Sequence, residues 1–221
     1  TDPALLGPGW QAQGLQARLG LEGDFRENLA IAYTVEAARI GQGAALARDV
    51  AASGVANWNG SRLRVPMTAT ASSIATGSAM VDPRLRRARL SATFTFGGDR
   101  LVAPDIVFDS SGLGARLALD GNVRQSRYRL TGPVIANGVM LNGLGSANAR
   151  AQVDALIGGR SGWSLTAKVD GRMTQVTNAT LETYVGAPIA FSADVSMAGS
   201  APILIRSARL DAPRLDLSLS G

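Results

Sequence analysis

At 221 residues the chain is long enough for one domain or two, and for a core that removes most of its apolar surface from water. It contains no Cys and no His, which excludes disulfides, thiolate chemistry, a His-centred catalytic triad and a Cys/His zinc site. The net charge of +5 comes from 22 basic residues, of which only Lys168 is lysine; it permits a nucleic acid or an anionic membrane surface as partner, and equally suits an Arg- and Ala-favouring genome.

The chain is 46% hydrophobic but only 5% aromatic, so its apolar faces are numerous and built from small or medium side chains. Residues 1 to 12 hold Pro3, Gly7, Pro8 and Gly9 and read as an irregular lead-in. Leu15, Ala17, Leu19 and Leu21 then alternate with polar residues and glycine, which predicts a strand, and Leu29 to Val35 predicts a second. From Glu36 to Ser53 helix propensity is high but Gly41 and Gly43 interrupt it, which predicts strand with a short helical turn. Val55 to Gly60 reads as a loop with an exposed Trp, and in Leu63 to Ser73 the proline Pro66 argues for a sheet edge or a bulge.

The stretch from Arg84 to Gly121 holds three strand-and-turn units. Leu90, Ala92, Phe94 and Phe96 fall on one side of the first, opposite Arg87, Arg89, Ser91, Thr93 and Thr95. Gly97-Gly98-Asp99 turns the chain, and in the third unit Ala115, Leu117 and Leu119 alternate with Arg116, Ala118 and Asp120. Further strands are predicted at Tyr128 to Gly132, Val139 to Leu144, Ala147 to Ile157 (where the period outweighs the poor strand propensity of Ala), Ser164 to Asp170, Thr174 to Tyr184, Ile189 to Met197, Ile203 to Leu210 and Leu215 to Leu219. Turns are expected at Gly171, Gly186-Ala-Pro188, Gly199-Ser-Ala-Pro202 and Ala212-Pro213. Roughly fourteen strands with no strong helix between them predict an all-β meander, closed as a sandwich or barrel or left as an open elongated sheet about 65 to 70 Å long. The dipeptide Arg-Leu, at 18, 62, 84, 89, 100, 116, 129, 209 and 214, fits such strands, with Arg outside and Leu inside.

The remaining candidates for chemistry are carboxylates. Asp105 and Asp109 sit beside Pro104 and Ser110-Ser111, which predicts turn or capping roles, and Asp211 and Asp216 are near in sequence only. Gly112-Leu-Gly114 and Gly143-Leu-Gly145 lack the further residues of a phosphate loop. The densest basic cluster, Arg84, Arg86, Arg87 and Arg89, has no interleaved aromatics, so it predicts a solvated outer face and no nucleic acid. Neither enzymatic activity nor a metal or cofactor is expected.

Four segments carry a resemblance: SGVANWNGSRLRVPM from Ser53, VDPRLRRARLSATFTF from Val81, RYRLTGPV from Arg127 and the closing RLDAPRLDLSLSG. Together they resemble the interior of the TamB family, within the AsmA-like group of bacterial envelope proteins. The resemblance implies a periplasmic segment of a long, open, twisted antiparallel sheet curled into a hydrophobic groove, in a protein anchored to the inner membrane by a helix outside this stretch. It implies phospholipid as the ligand, movement of phospholipid to the outer membrane as the role, and the outer-membrane barrel protein TamA as a partner through regions not present here. On that reading the alternating residues Leu90, Phe94, Phe96, Leu117, Leu119, Leu165, Val169, Phe191, Val195, Leu215, Leu217 and Leu219 face the groove and contact acyl chains. A compact β-sandwich, and a scaffold that binds proteins by adding strands at open edges, are the alternatives. The chain starts without Met and stops in mid-pattern, and Thr1-Asp2-Pro3 is no signal peptide, so it reads as a single all-β piece, 1–221, of a longer polypeptide.

Overall fold

The computed structural model describes residues 9–79, 81–158, 162–199 and 201–221. Its strands are β1 (Trp10–Gln13), β2 (Gln16–Asp24), β3 (Asn28–Gln42), β4 (Ala45–Trp58), β5 (Arg62–Ala75), β6 (Arg86–Gly97), β7 (Arg100–Asp109), β8 (Leu113–Asn122), β9 (Arg127–Leu141), β10 (Gly145–Gly158), β11 (Trp163–Val176), β12 (Ala190–Ala198), β13 (Leu204–Ala212) and β14 (Leu215–Ser220). One helix, α1 (Ala179–Val185), lies between β11 and β12, and a 3-10 turn covers Asp82–Arg84. The fourteen strands form one antiparallel sheet that does not close into a barrel. Strand order follows sequence order, except that β1 and β2 both pair with β3. The chain divides into two units, residues 1–113 and 114–221.

In the first unit the register carries one set of side chains across every strand. Leu29 pairs with Trp58, Trp58 with Leu63, Leu63 with Phe96 and Phe96 with Leu101. Three repeats of the pleat away, Val35, Ala52, Ala69, Leu90 and Phe108 form a second such row. Directly paired residues of an antiparallel sheet share a face, so these rows define an apolar face. The buried strand residues Leu29, Ala37, Ala56, Ala88, Ala92, Ala103 and Ile106 all lie on it, and Thr34, Glu36, Ser53, Arg64, Thr68, Arg89 and Ser91 on the other side are exposed. A register shift between β6 and β7 moves the face from odd to even positions within β7, so that Leu101 and Ile106 share a side.

The second unit follows the same plan. Val134, Ala151, Val169, Ala193, Ala208 and Leu219 form a row through six strands, and Ala136, Ala149, Gly171, Phe191, Leu210 and Leu217 form the next. Ion pairs occupy the opposite face: Arg129 grips Asp154 with two hydrogen bonds of 2.9 and 2.5 Å, and Arg209 meets Asp216 at 2.7 Å.

Several expectations need correction. The lead-in is irregular only in name from residue 10 onward, because Trp10–Gln13 pairs with the end of β3; residues 1–8 lie outside the described residues. Glu36 to Ser53 has no helical turn: Gly43, at φ +59°, makes a tight hairpin, and pairing of β3 with β4 overrides local helix propensity. Val55 to Trp58 is strand rather than loop, and Trp58 is half-buried on the apolar face, its Nε1 donating to the Phe25 carbonyl at 3.0 Å. Pro66 is neither at an edge nor at a bulge, since β5 lies between β4 and β6. The ladder between β4 and β5 is instead interrupted opposite it, and the Tyr33 hydroxyl donates to the Pro66 carbonyl at 2.8 Å.

Tyr128 to Leu141 forms not two strands but the single β9, in which Gly138 (φ +61°) sits at a register shift against β10, and residues 142–144, expected to continue the second strand, are a turn. Thr174 to Tyr184 is divided between the end of β11 and α1. Its Thr, Val and Tyr suggest a strand, but Ala179 and Glu182 favour helix, and Gly186 at φ +81° closes it by donating to the Glu182 carbonyl at 3.0 Å. Asp105 lies inside β7 and Asp109 is its last residue, paired with Arg89, so neither caps a turn. The turn expected at 199–202 includes Ser200, which lies outside the described residues.

Candidate functional site

On the apolar face small residues lie low between larger ones. Ala92 is 6% exposed between Leu90 and Phe94, and Ala167 is 8% exposed between Leu165 and Val169. These alanines are covered by their neighbours, whereas Ala193 is half-buried. In a pleated sheet a small residue flanked by long ones becomes covered without any second layer.

The sequence-predicted residues fall as follows. In the first unit Leu90, Phe94 and Phe96 share the apolar face through their partners Ala69, Val65 and Leu63. In the second, Leu165, Val169, Phe191, Val195, Leu217 and Leu219 share one face by direct pairing, and Leu215, paired with Ala212, continues it. Leu117 and Leu119 are placed through Gly121, two residues on. The Tyr128 ring covers the side of Gly121 where a Cβ would stand, and Tyr128 pairs with Ile157 on the apolar face. None of the twelve is buried: Phe96, Leu217 and Leu219 are exposed, at 37, 54 and 58%, and the other nine are half-buried.

Three aromatic side chains on this face lie across glycines of a neighbouring strand. Phe191 lies over its partner Gly171 and Tyr33 over its partner Gly54, as Tyr128 does over Gly121. At each of these glycines a Cβ would overlap the ring, so the absent side chain is what lets the aromatic cover the backbone. Burial pushes the Tyr33 phenol above its ordinary pKa, and its proton is committed to the Pro66 carbonyl.

Carboxylates lie elsewhere. The Arg129 guanidinium holds the Asp154 carboxyl below its usual range, on the polar face beside a shallow depression lined by Asp154, Lys168, Asp194 and Arg206. Asp211 and Asp216 are directly opposite each other in β13 and β14, with Asp216 bound to Arg209. The cross-strand placement of glycine beneath aromatics is a feature that periodicity does not disclose, because it depends on register. No family model, curated protein or solved structure matches the chain.

Proposed function

We propose that each unit offers its apolar face as a seat for phospholipid acyl chains, as a periplasmic segment of a groove that carries phospholipid between the inner and outer membranes and supports outer-membrane assembly. The observation that carries this reading is a face with successive rows of apolar residues and glycine over five or six adjacent strands, most of whose large side chains nevertheless remain partly open to solvent. An exposed apolar surface of more than a few hundred Å² marks a binding surface in a soluble protein.

The surface area supports an unfilled face. The chain exposes 14142 Å², whereas two separate compact domains of half its mass would together expose roughly 11,500 Å². A filled sandwich would remove that excess from water. A guest acyl chain removes it instead, at about 0.8 kcal/mol for each methylene buried. The location and the transport role rest on the resemblance of segments such as VDPRLRRARLSATFTF to the AsmA-like group.

The test is photo-crosslinking in cells from position 94 and, in parallel, from position 93, which points to the opposite side. Lipid adducts at 94 and none at 93 are expected, and Phe94→Asp is expected to abolish lipid co-purification while Thr93→Asp preserves it, since a carboxylate in the acyl path is poorly solvated. Equal labelling, or a Phe94→Asp protein that simply unfolds with a loss of about 3 to 5 kcal/mol, would return the chain to the filled sandwich. Protein adducts without lipid would favour the strand-adding scaffold.

A further inference from the structure

The apolar face of the first unit is charged along one row only. Gln13 pairs with Arg39, Arg39 with Arg48, Arg48 with Ser73, and Ser73 with Arg86, so five adjacent strands present Gln, Arg, Arg, Ser and Arg side by side. The next row inward holds Ala37, Val50, Ala71 and Ala88, and from there to Leu29 the paired positions of β3 to β6 carry no charge on this side. All three arginines are exposed, and the row contains no carboxylate.

Two features make this arrangement unfavourable for the protein alone. Like charges directly opposite in neighbouring strands are destabilising, and Arg39 and Arg48 are such a pair. The nearby carboxylate Asp49 follows Arg48 in the strand, and its Oδ2 accepts a hydrogen bond from Ser72 at 2.6 Å, away from the row. An anion placed between the guanidiniums would relieve the repulsion. Arg39 and Arg48 stand about 5 Å apart, within reach of one phosphate, and Arg86 two strands further on, about 10 Å away, adds a third donor fork. Ser73, between them, supplies a hydroxyl.

The charge is placed where an amphiphile would need it. From Ala37 to Leu29 the uncharged part of the face extends about 27 Å along the strand, and a lipid tail in one leaflet occupies about half of a ~30 Å hydrocarbon core. We propose that Arg39, Arg48 and Arg86 form a headgroup site for an anionic phospholipid whose acyl chains lie on the neighbouring apolar rows. The site rests on the acyl-chain reading above and adds selectivity for anionic over uncharged lipids.

The experiment measures binding of the purified chain to phosphatidylglycerol and to diacylglycerol with the same acyl chains. Wild type is expected to bind phosphatidylglycerol at least about tenfold more tightly, a preference that falls with added salt. The variant R39Q/R48Q/R86Q is expected to bind both lipids equally, with the diacylglycerol affinity unchanged. A control of equal charge change on the opposite face, R18Q/R62Q/R64Q, is expected to keep the preference, and millimolar inorganic phosphate is expected not to displace the lipid.

A row variant that retains the preference overturns the site, as does a control that loses it equally, which would signal general charge attraction. Displacement by phosphate alone would overturn the lipid assignment in favour of a free-anion site. Failure of wild type to bind either lipid would sink the acyl-chain reading and this site with it, whereas loss of selectivity alone sinks only the site. Arg48→Gln by itself keeps two of the three guanidiniums. It is expected to lose at least threefold of the preference while melting no lower than wild type without lipid, because one repulsion has gone; an unchanged preference there also overturns the proposal.

Discussion

Gly54 and Gly171 show how a single missing Cβ shapes this surface. Neither has a positive φ, so the demand for glycine is one of space rather than of backbone conformation. At Gly54 the new methyl would overlap the Pro66 carbonyl oxygen, a backbone atom held by β5, as well as the Tyr33 hydroxyl. At Gly171 the nearest atoms it would meet all belong to the Phe191 ring, which can swing away from the sheet. Gly54→Ala is therefore expected to cost about 2 to 3 kcal/mol and Gly171→Ala about 1 kcal/mol, measured by chemical denaturation; equal losses would show that the ring at 191 is held as firmly as backbone. At this scale the direction of a side chain was legible in the sequence. Eight of the nine Arg-Leu pairs have their leucine on the apolar face, at Leu19, Leu63, Leu90, Leu101, Leu117, Leu130, Leu210 and Leu215, and Leu85 falls outside the strands. What an alternating pattern could not reveal is which residue sits opposite, since that depends on register and register depends on the turns. The pairing of Phe191 with Gly171, and of Arg39 with Arg48, belongs to that second kind of information.

The connector between β5 and β6 behaves as an element in its own right. Asp82 accepts hydrogen bonds from the Thr76 amide at 2.7 Å and the Thr76 hydroxyl at 2.8 Å, and these bonds hold its carboxyl below the usual carboxylate range. A folded-state pKa below the unfolded value of about 4 means that the bonds stabilise the connector above that pH and are lost as the pH falls through the lower, folded value. Protection of the Thr76 amide from hydrogen exchange is thus expected to decline only in that acidic window, and Asp82→Asn is expected to remove the pH dependence; a decline centred above pH 5 in wild type would contradict it. Elements with a clean period of two were readable, such as β6 and β10, the latter in spite of its alanines. Those misread were places where a local signal competed with pairing. Pro66 signals an edge, yet an interior strand holds it because the ladder opens there and Tyr33 takes up the freed carbonyl. The glycines of β9 signal turns, yet one continuous strand accommodates them at close approaches and a register shift. In α1 the helix formers lie among β-branched residues that mimic a strand.

Across the whole molecule, each strand after β3 is hydrogen-bonded to the strands before and after it in sequence, as far as the last strand, β14. Stability in such an array is close to a sum of nearest-neighbour terms, so the ends should open first. Removing residues 213–221 deletes β14 and exposes β13 as the new edge. The expected outcome is an unchanged β signature by circular dichroism and slow amide exchange retained in β9 to β11. Global unfolding on that truncation would instead reveal long-range cooperativity. The fold class was legible because so many short strands without intervening helices leave few alternatives, whereas the separation into units 1–113 and 114–221 has no marker in composition. The sequential strand order also bears on how such a chain can change over generations. Within either unit, a duplicated hairpin restores both the direction of the chain and the side to which each residue points, so it can be spliced in at a turn without rerouting anything. Each such event would widen the sheet by about 9.6 Å, and its extent becomes a matter of counting hairpins, a freedom that a barrel, whose last strand must find its first, does not possess.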